Sequence, residues 1–288
     1  MITEILVVYK KNFEKVHDEA LSSIRKVLDD LKNEYNLNVS FVAREKVTLT
    51  DFESKQLVIV LGGDGTLTSI SHNIDDTMLV MGVNSDPLDQ DKDGSFGFYM
   101  GSRISTFEND LTLALDGEAI INELPRLQAE ITSASGNSIK SDPALNDLLI
   151  ANTHQYAPSK YILKRSGINA KQSSSGLLFS TFFGQGAWFR HVCDIEGMRF
   201  DEKDIDSHYL VVARDLPRTN RNGSEYFEWT DKCTTIRSDM HRGYVVPDGW
   251  DEYHFNRGAV IDVHLNGPKL KLLTFKEPLI EKIRLYLD

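Results

Sequence analysis

Cysteine is nearly absent from this chain: Cys193 and Cys233 are the two in 288 residues. Two thiols make at most one disulfide and cannot complete a metal site alone. That excludes a disulfide-stapled secreted scaffold and points to a reducing, cytoplasmic setting. Long apolar runs are missing too. No stretch approaches the ~20 residues of a membrane-spanning helix, so no membrane partner is expected. Residues 1–10 combine an early acid, Glu4, with a strand-length apolar run, unlike a secretory or transit leader. Positive charge is scarce: 32 Lys and Arg stand against 43 Asp and Glu, a net charge of −11, with no basic run. This balance opposes nucleic acid as a partner, and it admits a nucleotide only where cations gather locally or Mg²⁺ accompanies it. The eight histidines fall at no metal-ligand spacing, so no protein-held metal is expected. Internal repeats and low-complexity tracts are lacking.

What is present describes a soluble globular chain, 41% hydrophobic and 26% charged, long enough for two domains. Residues 5–9, 39–43, 57–61 and 78–83 read as strands. Between the first two, apolar residues at Val16, Ala20, Ile24, Val27, Leu28, Leu31 and Tyr35 recur at helical spacing. Residues 66–73 read as a second helix, and residues 105–115 as a third with Ser105 as its cap. Strands alternating with helices imply a parallel sheet covered by helices. After about residue 123, short apolar runs at 127–131, 145–151, 160–164, 176–181, 209–213, 242–246 and 259–265 are separated by turn-rich segments, the pattern of an antiparallel β domain. The expectation is therefore an α/β N-terminal domain with a parallel sheet, residues 1–122, plus a mainly antiparallel β C-terminal domain, residues 123–268. A C-terminal segment, 269–288, is expected to pack back on the first domain.

One stretch organises this pattern. Val58-Ile59-Val60-Leu61 runs into Gly62-Gly63-Asp64-Gly65-Thr66, a buried strand ending in glycines around a single carboxylate. A strand, a glycine turn and a helix start converge backbone N–H groups and a helix dipole on one spot, a site for phosphate. Asp64 would repel that phosphate unless it accepts a proton or meets a metal, so its presence argues for chemistry. An Asp-Gly pair is also an ordinary turn former, and both readings stand at this point. In parallel sheets ligands bind beyond the carboxyl ends of strands. Residues 62–66 and 84–87 both lie at such ends and are expected to face one cleft. Neither Gly-x-x-x-x-Gly-Lys-Ser/Thr nor Gly-x-Gly-x-x-Gly occurs.

The Gly-Gly-Asp-Gly-Thr turn resembles the NAD kinase family, which shares it, with variation, with diacylglycerol and sphingosine kinases and ATP-dependent phosphofructokinases. Further stretches narrow the resemblance. Gly82-Val83-Asn84-Ser85-Asp86-Pro87 is similar to the family's Gly-Ile/Val-Asn turn, and Gly97-Phe98-Tyr99 to its nucleotide-pocket segment. Ala144-Leu145-Asn146-Asp147 is similar to its Ala-Leu-Asn-Glu. Ser174-Ser175-Gly176-Leu177 through Gly184, Ala187 and Trp188 resembles its Gly-Leu strand and following helix start, and Pro247-Asp248-Gly249 its later turn. Ser-Ser-Gly-Leu and the Asp-Pro extension resemble the branch with animal mitochondrial NAD kinases. The matches run in family order over roughly residues 55–260. The chain departs where the family has Thr-Gly-Ser-Thr-Ala-Tyr, carrying Phe183-Gly184-Gln185-Gly186-Ala187-Trp188 instead.

The resemblance implies phosphoryl transfer from ATP or another phosphate donor to the 2′-hydroxyl of NAD, with Mg²⁺ or another divalent cation accompanying ATP. It implies Asp64 as proton acceptor and Gly62, Gly63, Gly65 and Thr66 at the phosphates. Asn146 and Asp147 would hold NAD, Asp248 would lie near the ribose, and Phe98 and Tyr99 would cover a base. Asn84, Ser175, Gly184, Gly186, Ala187 and Trp188 complete the implied nucleotide site. The family is oligomeric, so a homo-oligomer, dimer or tetramer, is the inherited expectation. Two alternatives belong to other classes: a catalytically silent dinucleotide-binding regulator, which the departures at 183–186 favour, and a lipid kinase of the diacylglycerol or sphingosine type, which the acidic charge disfavours.

Overall fold

The computed structural model describes residues 2–11, 15–88, 94–165, 167–192, 204–221 and 223–287. Cys193 lies outside the described residues. The chain forms two compact units: Met1–Leu124 with Lys269–Asp288, and Pro125–Pro268.

In the first unit, β1 (Glu4–Tyr9), β2 (Asn38–Ala43), β3 (Leu57–Gly62) and β4 (Leu79–Asn84) pair side by side in the order β4-β3-β1-β2, all parallel. All six residues of β3 are buried, as expected of a central parallel strand covered on both faces. The helix α1 (Lys15–Tyr35) connects β1 to β2 and turns Ala20, Ile24 and Leu28, one helical face, into a core shared with Ile5, Val7, Ile59 and Met81. On its flank the Arg25 guanidinium lies 3.8 Å over the Phe41 ring. α2 (Asp64–Ser71) follows β3. It begins at Asp64, two residues before the expected start, because the acid itself occupies the first turn, where the helix dipole favours negative charge.

β5 (Ser102–Arg103) joins β4, and α3 (Phe107–Asp116) follows it. Ser105 is not the cap. Thr106 holds that position, and its hydroxyl is engaged by Asp110 at 2.6 Å. α3 ends on Gly117 at φ 77°, with the Glu118 N–H reaching back to the Leu113 carbonyl at 2.8 Å. This is the reverse turn that glycine permits.

The second unit is a β-sandwich. β6 (Ile120–Thr132) and β7 (Ser138–Lys140) open it. They are followed by β8 (Asp147–Asn152), β9 (Ser159–Arg165), β10 (Ile168–Ser174) and β11 (Leu177–Ser180). After α4 (Trp188–Val192) come β12 (Tyr209–Ala213), β13 (Phe227–Thr230), β14 (Thr234–Ser238), β15 (Arg242–Pro247), β16 (Tyr253–Asn256) and β17 (Val260–Thr274). One sheet runs β13-β12-β11-β8-β15-β16, antiparallel throughout. The other includes β10-β9-β14, joined to the first part of β17. Leu148, Ile150, Phe179 and Val211 of the first meet Tyr161, Leu163, Ile236 and Ile261 of the second in one core. The alternation of buried with exposed or half-buried residues along β9 and β10 shows a sheet wet on one face.

From Lys269 the chain is again part of the first unit. Lys271 and Leu272 of β17 pair in parallel with β4, and α5 (Leu279–Leu287) closes the chain.

Candidate active site

Because β1, β2, β3 and β4 are parallel, their carboxyl ends share one edge. In the order β4-β3-β1-β2 the chain changes sides between β1 and β3, and such a reversal leaves a crevice beyond the strand ends. Gly62 sits opposite Asn84, the Ser85 N–H reaches the Gly62 carbonyl at 3.1 Å, and the Lys10 N–H reaches the Leu61 carbonyl at 2.9 Å. A cavity of about 240 Å³ lies there. Its lining brings together Gly62, Gly63, Asp64, Gly65 and Thr66 with Lys10, His17, Arg44, Ser85, Asp86 and Ser95. Residues 62–66 and 85–86 therefore do share one cleft.

The glycines are explained by close approach. A Cβ on Gly62 would stand 2.4 Å from the Thr66 hydroxyl oxygen, and one on Gly63 2.5 Å from that of Ser95. At Gly65 a Cβ would meet no protein atom within 4 Å. Its side is the open one, towards the cavity. Asp64 itself is half-buried and held at both oxygens: the Phe98 N–H donates to Oδ2 at 2.9 Å and the Tyr99 N–H to Oδ1 at 2.8 Å. Its own N–H lies 3.3 Å from the Ser95 hydroxyl. The carboxylate is thus oriented before any ligand arrives, the preorganisation that positioned catalysis requires.

The grouping of Lys10, Arg44 and His17 was not legible as a run, since its members come from three segments. Lys10 and Arg44 each follow directly on a strand of the parallel sheet, and that position was the available signal. His17 gave none. It is buried in the first turn of α1, with Nδ1 2.9 Å from the Ser85 hydroxyl.

Asn84 and Tyr99 take different places from those the family resemblance implies. The Asn84 side chain is buried and shapes the loop, donating to the Ser95 carbonyl at 3.1 Å and accepting from the Asp86 N–H at 3.2 Å. Tyr99 is a correction: its ring is 2% exposed, so it belongs to the core and has no face to offer a base. Its backbone N–H is the part that serves the site. Phe98, half-buried and edge-on to Tyr99 with centroids 4.9 Å apart, borders a second cavity of about 410 Å³ with Asn84, Arg103 and Lys282.

In the second unit, Asn146 and Asp147 stand at the start of β8. Asp248, at φ 49°, turns its carboxylate onto this turn and accepts from the N–H groups of Leu145 at 2.7 Å, Asn146 at 2.7 Å and Asp147 at 3.0 Å. Both oxygens are committed to the backbone, so Asp248 is a clamp on residues 145–147. Gly184 packs against the same turn so tightly that a Cβ would come within 2.1 Å of the Asn146 carbonyl oxygen. Thr181 links the two, bonding the Leu145 carbonyl at 2.7 Å and the Gly184 N–H at 3.0 Å. Asp147 is buried, and this burial, reinforced by the Asp248 charge, pushes its carboxyl up to about 7.

At the departure from the family pattern, both large side chains turn inward. Phe183 is buried edge-on against Phe182, and Gln185 is buried with its Nε2 on the Phe182 carbonyl at 2.8 Å. Gly186 and Ala187 are partly exposed beside them, and Trp188, at the surface, carries the Arg214 guanidinium 4.8 Å over its ring. The exposed Ser175 belongs with that pair rather than with Asp147, its N–H bonded to the Arg214 carbonyl at 2.9 Å.

No family model matches the chain. Among individual proteins it is 26% identical over 190 residues to one of Oryza sativa subsp. japonica named Probable NADH kinase, covering 60% of this chain. The chain spans about half, 55%, of that relative's length. It is 25% identical over 280 residues to the NAD kinase of Clostridium botulinum (strain Eklund 17B / Type B), covering 93% of this chain and 87% of that protein. In fold it is similar to the crystal structure of an NAD kinase from Archaeoglobus fulgidus in complex with ATP, with a TM-score of 0.72 at 17% identity over 99% of this chain and 98% of that one. Fold, glycine turn and relatives agree in their likeness to NAD kinases.

Proposed function

We propose that the protein transfers a phosphoryl group from ATP, or another phosphate donor, to the 2′-hydroxyl of NAD, making NADP. The observation that carries this reading is the cavity beside Asp64, where three basic side chains and the first turn of α2 surround a carboxylate held at both oxygens. Phosphoryl transfer asks little covalent chemistry of the protein. It needs an alcohol oxygen placed in line, charge neutralised, and one proton accepted late. Asp64 receives that proton. Lys10 and Arg44, with His17 beside them, offset phosphate charge in a chain whose net charge is −11. Gly65 leaves its open side to phosphate oxygens, and the Phe98 ring covers a base.

Asn146 and Asp147 hold NAD, with Asp248 and Gly184 keeping their turn in place. A carboxyl that titrates near 7 lets Asp147 accept or donate a hydrogen bond. Among the described residues, Asp64 and Asp86 are the carboxylates lining the cavity, too few for an all-protein Mg²⁺ cage. This set fits an ion that Asp86 would hold together with the donor's phosphates. Such an ion neutralises phosphate charge when bound. The inward turn of Phe183 and Gln185 favours an active enzyme over a silent regulator, because the substituted side chains fill core.

The finer expectations also belong to this proposal: a homo-oligomer, a cytoplasmic setting and, on Ser174-Ser175-Gly176-Leu177, kinship with the mitochondrial branch. Among the described residues no helix is long and apolar enough to cross a membrane. The test is NADP formation from NAD, ATP and Mg²⁺ by the purified protein. Asp64→Asn is expected to abolish it with folding and NAD binding retained. Undiminished turnover in that variant removes Asp64 from the role, and NAD binding without product in the parent protein turns the assignment to the regulator.

A further inference from the structure

The peptide groups that hold Asp64 are themselves held from the opposite end. Lys282, on α5, donates from Nζ to the Gly97 carbonyl and, at 2.8 Å, to the Phe98 carbonyl. The Gly97 carbonyl belongs to the same peptide unit as the Phe98 N–H, and the Phe98 carbonyl to the same unit as the Tyr99 N–H. Those two N–H groups are the donors to Asp64, at 2.9 and 2.8 Å. Two peptide units therefore lie side by side between an ammonium and a carboxylate. Each has its carbonyl on the cation and its N–H on the anion, and each bond polarises the next.

The surroundings keep this arrangement in register. Gly97 takes φ 68° where a Cβ would come within 2.4 Å of the Asn84 amide, so the bend that presents both carbonyls depends on glycine. α5 is anchored at its start by Asn122, whose Oδ1 accepts the Leu279 N–H at 2.7 Å and whose Nδ2 reaches the Leu272 carbonyl at 3.1 Å. Leu279 and Ile283, each 1% exposed, bury the helix face on either side of Lys282. The Phe98 and Phe96 rings lie 5.7 and 6.0 Å from the ammonium.

We infer that Lys282 is a positioning residue for Asp64, fixing and polarising through two peptide groups the amides that orient the carboxylate towards the acceptor hydroxyl. The inference rests on the phosphotransfer reading for its kinetic consequence, though not for its structural one. Burial lowers the proton affinity of Lys282, opposed by the charge of Asp64, with Arg103 lowering it and Glu277 raising it further. The ammonium is thus lost at a lower pH than an ordinary lysine's, and the tether weakens on the alkaline side.

The full-length chain with Lys282→Met or Lys282→Arg tests this. For Lys282→Met, kcat is expected to fall about 10- to 100-fold while KM for NAD changes by less than about threefold, the pattern of lost orientation rather than lost binding. Amide exchange protection at Phe98 and Tyr99 falls with it. Lys282→Arg keeps most of the activity and carries the alkaline limb of the rate profile to higher pH, because guanidinium stays charged. A Lys282→Met protein that melts lower but keeps its kcat and its protection at Phe98 and Tyr99 would show a mere staple of α5 and overturn the inference. If Lys282→Met does not fold, the parent protein decides. Protection at those two amides must drop on the alkaline side before global unfolding, and a constant protection factor refutes the tether. Exchange needs no turnover, so a parent protein that makes no NADP sinks the reaction while leaving this result to stand or fall separately.

Discussion

Asp147→Asn isolates one energetic consequence of the fold. Asp147 is buried at the start of β8, and the Asp248 carboxylate beside it is already committed to three amides, so two acids share a small dry volume. Burial first, and the Asp248 charge second, raise its carboxyl from the ordinary 3.8 to about 7. The native protein then holds a proton that the unfolded chain has released. A group of this kind contributes fully below pH 3.8, and its contribution is lost as pH rises towards 7. At ~1.4 kcal/mol per pH unit the separation amounts to about 4 kcal/mol, an upper estimate because denatured chains are not fully solvated. Asparagine has nearly the same shape and no charge, so the variant lacks this component. Urea unfolding at pH 5, 6, 7 and 8 would read it: the parent loses stability across this range more steeply than the variant, and at pH 8 Asp147→Asn is the more stable by about 2–4 kcal/mol. Parallel stability curves would refute the reasoning, because they would mean that the buried charge is compensated by partners.

Asp248→Ala removes three charge-assisted bonds at once and leaves a residue with a Cβ and no local hydrogen bond at φ 49°. A loss of about 3 kcal/mol is expected in urea unfolding, with weaker NAD binding, and a loss below about 1 kcal/mol would contradict the clamp. Lys10→Met and Arg44→Met are each expected to raise KM for ATP about tenfold with kcat little changed, and an unchanged KM would place the donor's phosphates elsewhere than this cavity.

What could be read in advance was whatever depends on neighbours in sequence. Val58-Ile59-Val60-Leu61 reads as a strand buried on both faces because four apolar residues leave no wet side, and β3 is that strand. Gly62 and Gly63 read as a turn where a Cβ would obstruct a phosphate, and packing adds a second reason, since a Cβ there would collide with Thr66 and Ser95. Ala20, Ile24 and Leu28 reveal a helix face because 3.6 residues make a turn. The ring of Tyr99 was misplaced because an aromatic side chain suits a core and a base equally well, and only packing decides between them.

The contacts that set the chemistry lie far apart along the chain. Lys282 meets Gly97 across 185 residues and Asp248 meets Leu145 across 103. Lys10 and Arg44 join Asp64 only because three parallel strands end at one edge. Local sequence determined the strands, the helices and the turn that carries Asp64, since propensity and periodicity act over a few residues. Tertiary structure alone decided which charges surround that carboxylate and which amides hold it, since electrostatics and hydrogen bonding depend on distance in space.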